Sequence, residues 1–160
     1  MAKKKVSDIE LEGVKVKKQK AVKVAKPKKP KKPKKPTKTQ LTKKLDVIFS
    51  QYIRRRKAVK GIAECVTCGR KDEWKKLQAG HFISRAKRSV RWDEDNVQVQ
   101  CYSCNIHGQG QQYLYSLYLG AERSLELYEE SLYTKDFSVE EMESMINYYQ
   151  KLVESLDKLK

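Results

Sequence analysis

Residues 65 to 69 read CVTCG and residues 101 to 105 read CYSCN. Two C-x-x-C pairs offer four thiolates, the ligand set of a closed, tetrahedral structural zinc site. A single pair would also suit a thioredoxin-like redox motif. The second pair, and the lack of a βαβ pattern around either, argue against that reading. Cys65, Cys68, Cys101 and Cys104 are therefore the candidate zinc ligands. The 32 residues between the pairs exceed the insert of a simple zinc ribbon and leave room for a hairpin and a loop. Metal, more than apolar burial, is expected to hold this part together.

The insert contains LQAGHFISR, residues 77 to 85, with one of only two histidines in the chain, and then Asp93, Asp95 and Asn96. Asn105 and His107 follow the second cysteine pair. If Cys104 opens a helix, Asn105 lies in its first turn, and a hairpin carrying His81 packs across it. A histidine facing an amide oxygen makes a compact site for one divalent cation, a phosphate and a water. A satisfied structural histidine is the competing reading. Arg85, Lys87, Arg88 and Arg91 follow His81 closely, as a phosphate grip or as ordinary surface charge.

Outward from the insert, Leu41, Leu45, Ile48, Phe49, Tyr52 and Ile53 predict an amphipathic helix from Thr39 to about Val59. Its end, with Arg54, Arg55 and Arg56, suits the helix dipole and equally a phosphate backbone. VQVQC, residues 97 to 101, alternates like a short strand. Helices are expected over Gln111–Leu119 and Glu122–Leu132, broken near Gly120. Ser138 and Glu141 form a capping box that starts a last helix. Its apolar positions Met142, Met145, Tyr149, Leu152, Leu156 and Leu159 alternate by three and four, a seam that either packs on the first helix or pairs two copies into a homodimer. The expected segments are a tail over 1–38, a helix over 39–60, a zinc module over 61–112 and a helical region over 113–160.

Charge divides the 160 residues unevenly: of a net +16, residues 1–45 carry +15, with 18 lysines against Asp8, Glu10 and Glu12. The run KPKKPKKPKKP, residues 26 to 36, lacks apolar side chains and predicts a disordered or extended basic tail. Residues 51–91 net +10 and residues 92–160 net −8. A concentrated positive field gathers a polyanion, with nucleic acid the commonest intracellular one. A solubility tail with solvated faces is the plainer alternative. No run of 18 apolar residues and no signal-peptide core occurs, so the expectation is a protein off the membrane, in a reducing cytoplasm.

CVTCG, AGHFISR, RWDEDN, QC and CN, in that order, resemble the NinG/Rap family of phage and prophage recombination endonucleases, over roughly residues 41 to 153. The resemblance implies an α+β fold: a small zinc-stabilised treble-clef module of the HNH (ββα-metal) kind, flanked by helices. It implies a nucleoid-associated enzyme that cuts branched DNA such as a Holliday junction, D-loop or flap. By it, the four cysteines hold structural zinc, His81 is the general base, and Asn96 is the middle residue of the HNH pattern. Asn105 takes the position of a catalytic-metal ligand or third motif residue. Many HNH nucleases carry an acid just before the histidine; this chain has Gly80. Asp95, Asp93 and His107 are the candidates to complete a site for Mg²⁺ or Mn²⁺ with Asn105.

The implied chemistry is phosphodiester hydrolysis, with neutral His81 taking a proton from water. Contacts from Arg54, Arg55, Arg56, Arg85, Lys87, Arg88 and Arg91 would position DNA by its backbone, so shape rather than base sequence is the expected signal. Two rivals remain open: a non-catalytic zinc-stabilised nucleic-acid-binding protein, and an RNA-binding or ribosome-associated one.

Overall fold

The computed structural model describes residues 35–158. The expected tail up to residue 34 lies outside the described residues. Helix α1 spans Lys38–Arg56, opened by a capping box in which the Thr37 hydroxyl accepts from Gln40 N–H and the Gln40 amide returns to Thr37 N–H. Leu41, Leu45, Phe49 and Ile53 recur every fourth residue and are buried. The helix stops three residues short of Val59. A tight turn follows, with Lys60 at φ +49° and Gly61 at φ +79°, bridged by Val59 and Ile62.

Strands β1 (Ile62–Glu64) and β2 (Lys71–Glu73) form one antiparallel hairpin, whose connection carries Cys65 and Cys68. Strands β3 (Gln78–His81) and β4 (Val97–Gln100) form a second antiparallel pair, with Gly80 opposite Gln98 and His81 opposite Val97. A 3-10 turn at Arg88–Val90 lies in the loop between them. The alternation in VQVQ does not mark a solvent face: all four residues of β4 are buried. Gln98 donates to Glu94 O (2.9 Å) and Gln100 to Gly110 O (2.8 Å), so each amide nitrogen has a backbone partner, while Gln100 Oε1 is buried without one.

Past β4 the expected helix from Cys104 is only one π-helical turn, Ser103–His107. Three residues at positive φ, Gln109, Gly110 and Gln111, then redirect the chain. Helix α2 follows at Gln112–Leu119 and α3 at Ala121–Leu132, separated by Gly120 at φ +84°. Helix α4, Val139–Lys158, starts at the capping box read from the sequence: Glu141 N–H donates to Ser138 Oγ (3.1 Å) and Ser138 N–H to Glu141 Oε2 (2.7 Å).

α4 lies along α1. Met142, Ile146 and Tyr149 are its buried residues, and Phe49 meets Tyr149 edge-on with ring centroids 4.9 Å apart. Of the two arrangements the seam allowed, its described residues show the packing on α1; Leu159 lies outside the described residues. The seam's centre is Ile146, absent from the heptad reading; Met145 and Leu152 pack only at the margin. One apolar cluster joins α1, α4, β4, Leu77, Trp92 and three of the cysteines. Apolar burial therefore contributes to holding the cysteine-bearing segment, which was expected to depend mainly on metal. Among the described residues no helix is long and apolar enough to cross a membrane.

Candidate metal centre and histidine cleft

The two C-x-x-C turns converge. Cys65 N–H donates to Arg70 O and Gly69 N–H to Cys65 O, curling the first pair into a tight knuckle, with Gly69 at φ +73°. Val66 N–H donates to Val99 O (2.9 Å), pinning that knuckle to β4 just before Cys101. The four Sγ atoms lie within 4.8 Å of one another. A tetrahedron with Zn–S bonds of about 2.3 Å has S···S edges of about 3.8 Å, and Cys68 Sγ stands 3.8 Å from Cys101 Sγ. Three of the thiols are buried. Burial pushes the Cys104 thiol up to about 12, with its neighbouring thiols adding to the effect. Burial also opposes ionisation of Cys65, yet hydrogen bonds from Thr67 and nearby backbone groups bring it to about 6. Four thiols so close ionise together only around a cation. The donor set fits zinc.

His81 ends β3 and faces α1 across a cleft of about 270 Å³ lined by Asp46, Phe49, Ser50, Arg85, Arg91 and Trp92, among others. Its Nε2 lies 3.1 Å from the carbonyl oxygen of Arg91. A carbonyl only accepts, so Nε2 carries the proton and Nδ1 keeps its lone pair. Burial lowers the imidazole below its usual 6.5, assisted by the Arg91 and Arg85 charges, while the Arg91 carbonyl and Asp46 pull the other way. Burial thus favours the neutral ring.

Gly80 has a structural explanation. A Cβ built there would sit 1.9 Å from Gln100 Oε1 and 2.7 Å from Gln100 Cδ. The buried Gln100 amide, held by Gly110 O, fills the space that an acid before His81 would require. Tyr115, fully buried on α2, closes this face by reaching Gly80 O (3.3 Å) and Asn96 O (3.2 Å) with its hydroxyl.

The residues expected to act with His81 lie elsewhere. Asn96 is fully buried: its Oδ1 accepts from Ile83 N–H (2.6 Å), and its Nδ2 donates to Ile83 O (3.1 Å) and Val90 O (2.8 Å). It ties the loop after His81 to the start of β4. Asn105 donates to Gln78 Oε1 (2.6 Å), at the opposite end of β3 from His81. His107 is exposed and packs edge-on against Tyr102. Asp93 and Asp95 are both engaged by Arg123 on α3, at 3.0 and 2.9 Å. These side chains do not converge into a Mg²⁺ or Mn²⁺ cage. Among the described residues, the cysteine centre is the one cluster of three or more His, Cys, Asp or Glu ligands.

Several expected DNA contacts are internal braces. Arg54 donates to the carbonyls of Ser50, Trp74 and Leu77; Arg55 pairs with Asp157; Arg56 pairs with Glu94. The last turn of α1 meets the β2–β3 connection, α4 and the β3–β4 loop, so its cations have partners there before any phosphate. Arg88 lies over the rings of Trp92 and Phe137. Arg91 grips both carboxylate oxygens of Asp46 (3.0 and 2.6 Å). Arg85, which lines the cleft, and Lys87, two residues on, are exposed. Asp46 itself belongs to no motif. Its one sequence signal is that it is the single acid in the 19 residues of α1, beside the buried stripe.

A family model described as Bacteriophage Lambda NinG protein matches residues 1–159. No curated protein and no solved structure matches the chain.

Proposed function

The chain belongs to the NinG family of phage proteins, and from that membership we propose that it is a DNA endonuclease of phage recombination, hydrolysing branched DNA with His81 as general base. The observation that carries the reading is the contact of His81 Nε2 with the Arg91 carbonyl: it places the proton on Nε2 and leaves the Nδ1 lone pair free, in a cleft that Arg85 also lines. Nδ1 takes a proton from water as the water oxygen attacks phosphorus. The P–O bond to the leaving oxygen breaks, and that oxygen is protonated from solvent. Arg85 and Lys87 hold the phosphate from the rim of the cleft. The imidazolium forms near the Asp46 charge, which partly offsets the cost of a buried cation.

The zinc module is read as a treble-clef variant. Its first knuckle lies on a hairpin, a second hairpin carries the base, and its second knuckle opens a π turn instead of a long helix. Zinc would be held by the four cysteines and would supply rigidity. Dependence on Mg²⁺ or Mn²⁺ is an assay question, because no described residue set is built for either ion and no step is assigned to one.

His81→Ala is expected to reduce cleavage of a four-way junction by about 10²–10⁴-fold, with binding of the same junction within threefold of wild type. Equal loss of binding and cleavage would overturn the base assignment. A second reading, a non-catalytic zinc-stabilised nucleic-acid-binding protein, is favoured by the scattered Asn105, His107 and Asp95. It predicts mobility shifts with every strand intact in either metal.

A further inference from the structure

We propose that Asp46 is a positioning residue for His81, acting through Arg91, so that α1 and not the zinc module sets the tautomer of the base. This rests on the reading of His81 as the base. The chain of contacts is short and directional. Asp46 Oδ1 accepts from Arg91 Nε (3.0 Å) and from the Trp92 indole N–H (2.9 Å), while Oδ2 accepts from Arg91 Nη2 (2.6 Å). The Arg91 guanidinium also donates through Nη1 to Arg85 O (3.0 Å). Two successive residues are thereby clamped by one carboxylate, and the peptide between them includes the carbonyl to which His81 Nε2–H donates.

Arg–carboxylate pairs of this bidentate kind hold geometry as well as charge. Asp46 is about one-third exposed and Arg91 about one-sixth, so the pair sits at the edge of the cleft, partly out of water. Carboxylate-oriented histidines obey the same logic, with the tautomer set by what the far nitrogen donates to. In this chain a backbone carbonyl is interposed, and the carboxylate fixes the residue that owns it. Asp46 does not serve as a substitute metal ligand: three of its acceptor positions are filled, and the Arg91 cation beside it repels a second one.

The charged groups facing His81 are Asp46 from α1 and Arg85 and Arg91 from the β3–β4 loop. Asp46→Asn removes the single negative charge and leaves both cations. The imidazolium is then less favoured, so the acidic limb of kcat/KM moves to lower pH. Loss of the clamp frees the Arg91 carbonyl, and kcat falls by roughly 10–100-fold with KM and junction affinity unchanged.

The direct readout is nitrogen-15 NMR of the full chain, which has only His81 and His107, with His107→Gln assigning the pair. Wild type should show His81 as the Nε2–H tautomer at pH 7. Asp46→Asn should show a mixture of tautomers and a lower titration midpoint. Arg91→Lys, which keeps the charge but loses the fork, should disturb the tautomer with a smaller midpoint change, and Asp46→Glu should restore most of the wild-type spectrum. An unchanged His81 tautomer and midpoint in both Asp46→Asn and Arg91→Lys would overturn the proposal. If His81→Ala still cuts DNA while the NMR changes occur, the base assignment fails and the positioning of the ring by Asp46 stands.

Discussion

Gly80 shows how a single missing side chain is decided by its surroundings. Its Cβ position is 1.9 Å from Gln100 Oε1, and the Gln100 amide is anchored in the interior. Gly80→Ala is expected to destabilise the fold by about 1–3 kcal/mol, the usual cost of overpacking. Gly80→Ala with Gln100→Ala should recover part of that loss, read as a coupling energy in a denaturant double-mutant cycle. Additive effects would remove the steric explanation. An acid at this position would demand still more room than alanine.

The elements follow amphipathic spacing, yet which residue of a stripe carries the packing was settled by the partner helix. In α4 the three-and-four alternation of Met142, Met145 and Tyr149 suggested a coiled-coil seam. Against α1, Ile146 is 2% exposed whereas Met145 lies at the margin. Beside the fourfold stripe of α1, the buried residues of α4 are Met142, Ile146 and Tyr149, at steps of four and three. Ile146→Ala should cost about 2–5 kcal/mol, in the range for a buried large-to-small change. Met145→Ala should cost less than half as much in the same chemical denaturation experiment. Equal costs would restore the heptad reading.

At the scale of the molecule, two kinds of cohesion overlap. The cysteine centre joins the β1–β2 knuckle to the end of β4, and the apolar cluster joins α1 and α4 to the same strand. Elemental analysis of a reduced sample should find one tightly held zinc per chain. Stripping it with a chelator should abolish the near-ultraviolet circular dichroism of Trp74 and Trp92, while much of the α1–α4 helical signal persists. A metal-free, reduced protein with an unchanged near-ultraviolet spectrum would rule out the four-thiolate centre.

By itself, the sequence determined the two cysteine pairs, the apolar stripe of α1, the Ser138–Glu141 capping box and the family, because each depends on residue type at short, fixed spacing. His81 stood out for the same reason: only two histidines occur, and one lies between the cysteine pairs. The tertiary structure alone decided which side chains meet. It spent Arg54, Arg55, Arg56 and Arg91 on internal partners, separated Asn105 and His107 from His81, and brought Asp46 from a helix 35 residues upstream into the cleft. Those outcomes depend on the packing of α1 across β3 and β4, a contact between distant segments that no local spacing encodes.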